Sequence, residues 1–275
     1  MKKLLIITGP TASGKTAAAI RMAQELHTEI ISCDSRQFYS ELSIGVARPS
    51  DDELAAARHH FIACRSVTEP YNIYDYHRDA WRLLESLFAI HDTVVACGGS
   101  GLYVDALLQE PARLPDPSPE LRSRLQQMPL EEKRAQLRLL DPDYYSRVDL
   151  RNPVRLQRAL EVSLTVGRPY SQVIAEHTAA PRPFEAEVRV ISIPNSGLRD
   201  NIDRRVDSMM ASGLLDEVRS VVHLRHLNTL NTVGYRELFP VVDGEAALDD
   251  AVAQIKLNTW HYARKQITWM KKYTT

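Results

Sequence analysis

The first dense cluster of apolar positions is Leu4-Leu5-Ile6-Ile7, bounded by Thr8-Gly9-Pro10. A continuous run of this length predicts a strand over Leu4–Thr8 that is covered on both faces. Ala17, Ala18, Ala19, Ile20, Met22, Ala23 and Leu26 then follow a helical period, which predicts a helix over Lys15–Leu26. Glu29–Cys33 reads as a second strand. Tyr76, Ala80, Leu83, Leu84 and Leu87 predict a helix over Asp75–Ile90, and Thr93–Cys97 reads as a third strand. Strands alternating with helices imply a parallel sheet with right-handed crossovers.

The pattern changes at Pro111, Pro115, Pro117 and Pro119. From Pro119 to about Glu176 the chain reads as wholly helical, with Leu121, Leu125, Leu137, Leu139, Leu140, Leu156, Leu160 and Leu164 at helical intervals. Pro181 and Pro183 close this stretch. Glu187–Ile193 alternates at period two and reads as a strand returning to the core, and 198–275 is mostly helical. The expected organisation is an α/β core, 1–112 and 185–275, interrupted by an all-helical insertion domain at 113–184.

Composition narrows the function classes. In 275 residues, 44% are hydrophobic and 25% charged, which excludes a disordered or fibrous chain. The formal charge is −1, so a nucleic-acid partner would have to be met by a local patch. Two such patches exist. Arg147, Arg151, Arg155, Arg158 and Arg168 against Asp149 and Glu161 leave 145–170 at +3, and Lys256, Arg264, Lys265, Lys271 and Lys272 leave 256–275 at +5. No apolar run approaches the ~20 residues of a membrane span. The run after Lys2-Lys3 is too short for a signal peptide, so a mature cytoplasmic protein with no membrane partner is expected. Cys33, Cys64 and Cys97 match no metal or redox spacing and read as buried thiols. The His59-His60 pair has no third ligand at metal-binding spacing, so no structural zinc is expected.

The sharpest motif is Gly9-Pro10-Thr11-Ala12-Ser13-Gly14-Lys15-Thr16, a match to G-x-x-x-x-G-K-[ST] placed between a strand and a helix. Its glycines let backbone N–H groups ring an anionic oxygen, and the helix N-terminus adds partial positive charge. Lys15 reaches the outer phosphate, and the Thr16 hydroxyl is the expected Mg²⁺ ligand. The core is therefore expected to be P-loop NTPase-like. Yet the third strand runs into Gly98-Gly99-Ser100 and carries no acid where a hydrolytic site holds Mg²⁺. Two readings remain open from the residues: a kinase, or an enzyme that holds its substrate by a diphosphate. Ligands in such sheets sit beyond the carboxyl ends of the strands, where Asp34-Ser35-Arg36-Gln37 and Gly98-Gly99-Ser100 also fall.

These motifs, taken in order, carry a resemblance. The chain resembles the tRNA dimethylallyltransferase (tRNA isopentenyltransferase) family over nearly its whole length. The matching residues are 9–16, Asp34 to Tyr39, Ile44-Gly45, Arg48-Pro49, His59-His60, Gly98 to Tyr103, Arg155 to Val162, Val233-Gly234-Tyr235-Arg236 and Lys265 to Trp269. The resemblance implies transfer of a dimethylallyl group from dimethylallyl diphosphate to N6 of the adenosine 3′ of the anticodon, in tRNAs reading codons that begin with U. It implies Asp34 as general base, with Lys15, Thr16, Ser100 and Arg205 holding the diphosphate. It implies tRNA contacts at Asp34, Ser35, Arg36, Gln37, Ser100, Arg122, Arg155, Arg158, Gly234, Tyr235 and Arg236, with the helical insert gripping the anticodon stem-loop. Mg²⁺ is the implied cofactor and a monomer the expected state. Against the family pattern, Ser100 replaces Thr, Val46 and Arg48 replace Thr and Lys, and Trp260 replaces Arg. The rival readings are a P-loop small-molecule kinase, a non-catalytic RNA-binding module, and an adenylate isopentenyltransferase acting on free AMP.

Overall fold

The computed structural model describes residues 2–178 and 180–274. It divides into two compact units: 1–109 with 182–275, and 110–181.

In the first unit five parallel strands form one sheet, β1 (Lys3–Thr8), β2 (Ile30–Ser32), β3 (His59–His60), β4 (Thr93–Gly98) and β5 (Glu185–Val190), in the order β3-β2-β4-β1-β5. Period two sorts the central strands between two layers. Leu4, Ile6, Ile31, Val94 and Ala96 face one core with α3 (Ile73–Phe88) and α4 (Gly101–Leu108). Leu5, Ile7, Ile30, Val95 and Cys97 face the other, packed on Ala19, Ile20 and Ala23 of α1 (Lys15–Glu25). Between β2 and β3 lies the short helix α2 (Asp51–Ala56), started by a Ser50–Glu53 capping box.

The element edges differ from the sequence reading for local reasons. Asn72 and Asp75 form a capping box, so α3 starts at Ile73 and not at Asp75. β5 runs 185–190 and not 187–193, because its partner β1 pairs only from Lys3 to Thr8 before turning into the glycine loop. His59-His60 forms a two-residue edge strand beside β2, too short to show a period. Cys33 and Cys97 are buried, whereas Cys64 is exposed.

The second unit has its own core. Leu125, Leu137, Leu156, Ala159 and Leu160 pack together from α5 (Pro119–Gln127), α6 (Leu130–Leu140) and α8 (Pro153–Val166), while Leu139 is 82% exposed. Asp141 is fully buried before α7 (Pro142–Tyr145). It caps Tyr144 N at 2.9 Å and accepts from Ser171 N (2.6 Å) and Ser171 Oγ (2.8 Å), so it pins α9 (Tyr170–Ala175).

Four further helices complete the first unit: α10 (Asn195–Ala211), α11 (Leu214–Val221), α12 (Tyr235–Val242) and α13 (Leu248–Met270). They share a third core with Tyr39, Leu42 and Val67 from the loops after β2 and β3. The sheet's tightest point is Gly98, where a Cβ would lie 2.4–2.6 Å from the backbone and Sγ of Cys33. Gly98→Ala is expected to destabilise the fold by about 1–3 kcal/mol through overpacking, read as a lower urea midpoint with an unchanged slope.

Candidate active site

The three central strands, β2, β4 and β1, end side by side, and each delivers one loop to the same edge. After β1 the chain takes left-handed values at Ala12 (φ 61°) and Gly14 (φ 80°), the geometry that turns successive backbone N–H groups inward into an anion nest. Asn201 Nδ2 donates to Ala12 O at 3.2 Å from α10. Gln266, 6% exposed on α13, bridges two loops: its Oε1 accepts from Thr11 N (2.8 Å) and its Nε2 donates to Gly99 O (2.8 Å). A Cβ at Gly99 would lie 2.4 Å from Gln266 Nε2, so glycine is what lets the amide in.

A cavity of about 330 Å³ opens at this edge. Thr11, Lys15, Thr16 and Asp34 line it, together with Arg205 of α10. Burial lowers the pKa of both Lys15 and Arg205, and the Asp34 charge opposes the shift in each case. Among the described residues neither cation makes an ion pair or a side-chain hydrogen bond. Two half-buried cations beside inward-facing amides make an electropositive pocket suited to an anion. Val46, Val206, Met209, Leu214, Val233 and Ile255 give the cavity an apolar face, while Ser35, Arg36, Gln37, Asn231, Thr232 and Arg236 make the rest polar.

Asp34 Oδ1 accepts from Arg36 N (3.1 Å), which leaves the second carboxylate oxygen available. Tyr262 of α13 also lines the cavity. The residue is 42% exposed, but its hydroxyl end approaches Ser100 and the Asp34 charge at the cavity wall, where desolvation first, then that charge, push its pKa up to about 12. Burial likewise raises both Cys33 and Cys97, the latter to about 11, so these thiols stay protonated and inert at neutral pH.

The expected site residues separate into three groups. Thr11, Lys15, Thr16, Asp34, Ser35, Arg36, Gln37, Arg205, Gly234 and Arg236 come together on the cavity wall. Others hold that wall from behind. Ser100 is 8% exposed and bonds Ser35 N (3.1 Å) and Ser35 Oγ (3.2 Å), and Arg36 Nη1 also donates to Thr229 O (2.9 Å). Tyr235, expected among the tRNA contacts, is fully buried with its hydroxyl on Glu217, so it supports the wall and offers no contact face. Gly9, Pro10, Ala12, Ser13 and Gly14 form the loop itself. The third group lies in the helical unit. Arg122 pairs with Asp116 (3.2 Å), and Arg155 is exposed. Arg158 is half-buried, donating to Glu161 (3.3 Å) and Leu114 O (3.4 Å). Sequence reasoning missed Glu217, Tyr262 and Asn201 as site residues and quoted Gln266 only within a motif. An amide between Lys265 and Ile267 in a strongly basic stretch was the one available signal for Gln266.

Fold and cavity together define a phosphate-loop α/β protein built to receive a substrate through an anionic group. Comparisons with known proteins sharpen that class. The family model described as IPP transferase matches residues 37–273. The tRNA dimethylallyltransferase 1 of Bacteroides thetaiotaomicron is 44% identical over 276 residues, covering 99% of this chain and 89% of that protein. The tRNA dimethylallyltransferase of Christiangramia forsetii is 42% identical, covering 98% and 90%. Among solved structures, the tRNA isopentenylpyrophosphate transferase of Bacillus halodurans superposes with a TM-score of 0.70 at 28% identity, covering 98% of this chain and 87% of that one. A eukaryotic dimethylallyltransferase acting on tRNA shares the fold with a TM-score of 0.82 at 21% identity. The chain belongs to the IPP transferase family.

Gln266→Ala would strand the Thr11 amide and the Gly99 carbonyl without partners. At about 1–3 kcal/mol for each buried group left unsatisfied, a clear fall in urea stability is expected, together with weaker pyrophosphate binding by calorimetry. Wild-type pyrophosphate affinity in the variant would mean that the bridge does not shape the nest.

Proposed function

We propose that this protein transfers a dimethylallyl group from dimethylallyl diphosphate to N6 of the adenosine 3′-adjacent to the anticodon, in tRNAs that read U-starting codons. The products are N6-(dimethylallyl)adenosine and diphosphate. One observation carries the reading: Lys15 and Arg205, neither of which forms an ion pair among the described residues, share with Asp34 a cavity that also has an apolar face of Val46, Val206, Met209, Leu214, Val233 and Ile255. The cations and the amide nest suit a diphosphate, the apolar face suits a short hydrocarbon, and Asp34 suits an acceptor that must lose a proton.

The adenine amine is a weak nucleophile because its lone pair is delocalised into the ring. As the N6–C1 bond forms and the C1–O bond to diphosphate breaks, Asp34 takes the N6 proton, a role worth roughly 10²–10⁴-fold. Lys15, Arg205 and the loop amides stabilise the charge that develops on the departing oxygen, typically the largest catalytic term. Holding both reactants in one cavity removes much of the entropy of encounter. Among the described residues no cluster of three or more His, Cys, Asp or Glu could cage a metal. The Thr16 hydroxyl at the cavity wall fits instead the sparse protein ligation of Mg²⁺, most of whose ligands are phosphate oxygens and waters. Bound there, Mg²⁺ would neutralise diphosphate charge. Among the described residues no helix is long and apolar enough to cross a membrane.

The tRNA is proposed to meet Arg122 and Arg155 in the helical unit through its phosphates. The acceptor base must leave its stack, which costs a few kcal/mol and least in a loop. The small-molecule kinase and the free-AMP enzyme leave the arginine-rich helical unit without a task.

Labelled dimethylallyl diphosphate or ATP, offered with tRNA or AMP, separates the readings. Label moving from the prenyl donor to tRNA is expected. Label from ATP on a small metabolite, with none on tRNA, would establish the kinase. Asp34→Ala is expected to keep tRNA binding and lower the single-turnover rate about 100-fold or more; an unchanged rate removes Asp34 as the base. Arg155→Ala is expected to weaken tRNA binding across sequences and to reduce the salt slope by about 1. Arg158→Ala would in addition loosen the helical unit, visible as a lower melting temperature.

A further inference from the structure

Behind the cavity wall lies a carboxylate that the reaction does not use. Glu217 sits in the first turn of α11, where an acid ordinarily does no more than complement the helix dipole. Here it is turned into the fold. Its Oε2 accepts from Ser43 N (2.9 Å) and Ile44 N (2.8 Å), and its Oε1 accepts from Gly45 N (2.9 Å) and the Tyr235 hydroxyl (2.6 Å). Four donors on one carboxylate are a strong, directional set. Burial, then the Glu217 charge, hold the Tyr235 hydroxyl far above its usual pKa, so it remains a donor.

The segment held in this way is the cavity wall. Gly45, Val46 and Ala47 line the cavity, and Ala47 has φ 46°, a strained value for a residue with a side chain. The Tyr235 ring packs so closely that a Cβ at Gly45 would lie 2.6–2.8 Å from it. On the opposite side Gln37 Nε2 donates to Ala47 O (2.9 Å), and Gln37 N donates to Asp34 O (3.3 Å). The chain of contacts therefore runs from Glu217 through the 43–47 loop to the Asp34 segment. The phosphate loop is held separately, by Gln266 and Asn201.

We propose that Glu217 is a positioning residue of the active site: its carboxylate, with Tyr235, fixes the 43–47 loop as the wall that sets the acceptor base against Asp34. This deepens the prenyl-transfer reading and rests on it. Because the phosphate nest has its own supports, loss of the clamp falls on the acceptor and not on the diphosphate.

The test compares E217Q, Y235F and G45A with the wild-type protein. In E217Q the amide NH₂ faces at least one backbone N–H donor whichever way it is turned, so even with the Tyr235 hydroxyl rotated to accept, at least one backbone hydrogen bond is lost and the loop moves. The amides of Ser43, Ile44 and Gly45 are expected to exchange with deuterium at least about tenfold faster, while those of the phosphate loop keep their rates. Pyrophosphate affinity is expected to stay within about twofold. The efficiency kcat/KM with tRNA is expected to fall about 10- to 100-fold, the scale of a base misplaced by up to 1 Å. G45A pushes the same loop against the Tyr235 ring without touching the carboxylate and is expected to reproduce this split. Y235F, which keeps the three backbone donors, is expected to show a smaller loss. Unchanged exchange at 43–45, unchanged kinetics with tRNA in a folded E217Q, or a parallel loss of pyrophosphate binding would each overturn the proposal. A wild-type protein that moves no prenyl group to tRNA would overturn the parent reading instead, and the exchange data would still decide whether Glu217 holds the wall.

Discussion

The molecule is organised around two cations set beside a phosphate loop. Folding holds Lys15 and Arg205 half-buried in one cavity beside inward-facing backbone amides, and among the described residues neither side chain forms an ion pair. That arrangement opposes folding, since burial disfavours the charged form of both groups and the Asp34 charge offsets only part of the effect. It persists because three adjacent parallel strands end at one edge and because helices from late in the chain brace the loops that leave it. Everything else in the first unit follows from the need to keep this edge rigid.

Much of this architecture was legible in the residues. The phosphate loop announces itself by spacing, and the run Leu4–Ile7 is dense enough to require burial on both faces, as the sorting of Leu4 and Ile6 from Leu5 and Ile7 into opposite layers bears out. Asp34 and Gly98-Gly99 could be placed by the strand-end rule alone. What stayed hidden is non-local. Nothing near Glu217 in the chain distinguishes it from Asp216 beside it, because its partners at 43–45 lie more than 170 residues away. Tyr235 looked like a contact residue because its neighbours Gly234 and Arg236 do face the cavity. The helical turn that separates their directions is a property of α12 that spacing over three residues does not reveal.

The bracing follows one rule. Three glycines mark places where a helix side chain closes on backbone near the cavity edge: Gly99 under Gln266 and Gly45 under Tyr235 in loops, and Gly101 under Trp269 at the start of α4. Backbone groups that would otherwise be orphaned at the cavity edge are satisfied there by side chains from α11 and α13. The loops therefore behave as parts of the scaffold and not as mobile connections, which suits a site that must align three reacting atoms.

α13 shows where that rigidity leads. Ile255, Thr259, Tyr262 and Gln266 face the cavity at steps of four, three and four, and Trp269 continues the same stripe onto Gly101. A continuous helix has one phase. Adding or removing a single residue within it would rotate everything beyond that point by about 100°, taking the amide off the phosphate loop and the indole off Gly101 together. Evolution can vary this helix's outward face residue by residue, but its length between Ile255 and Trp269 is a fixed dimension of the enzyme.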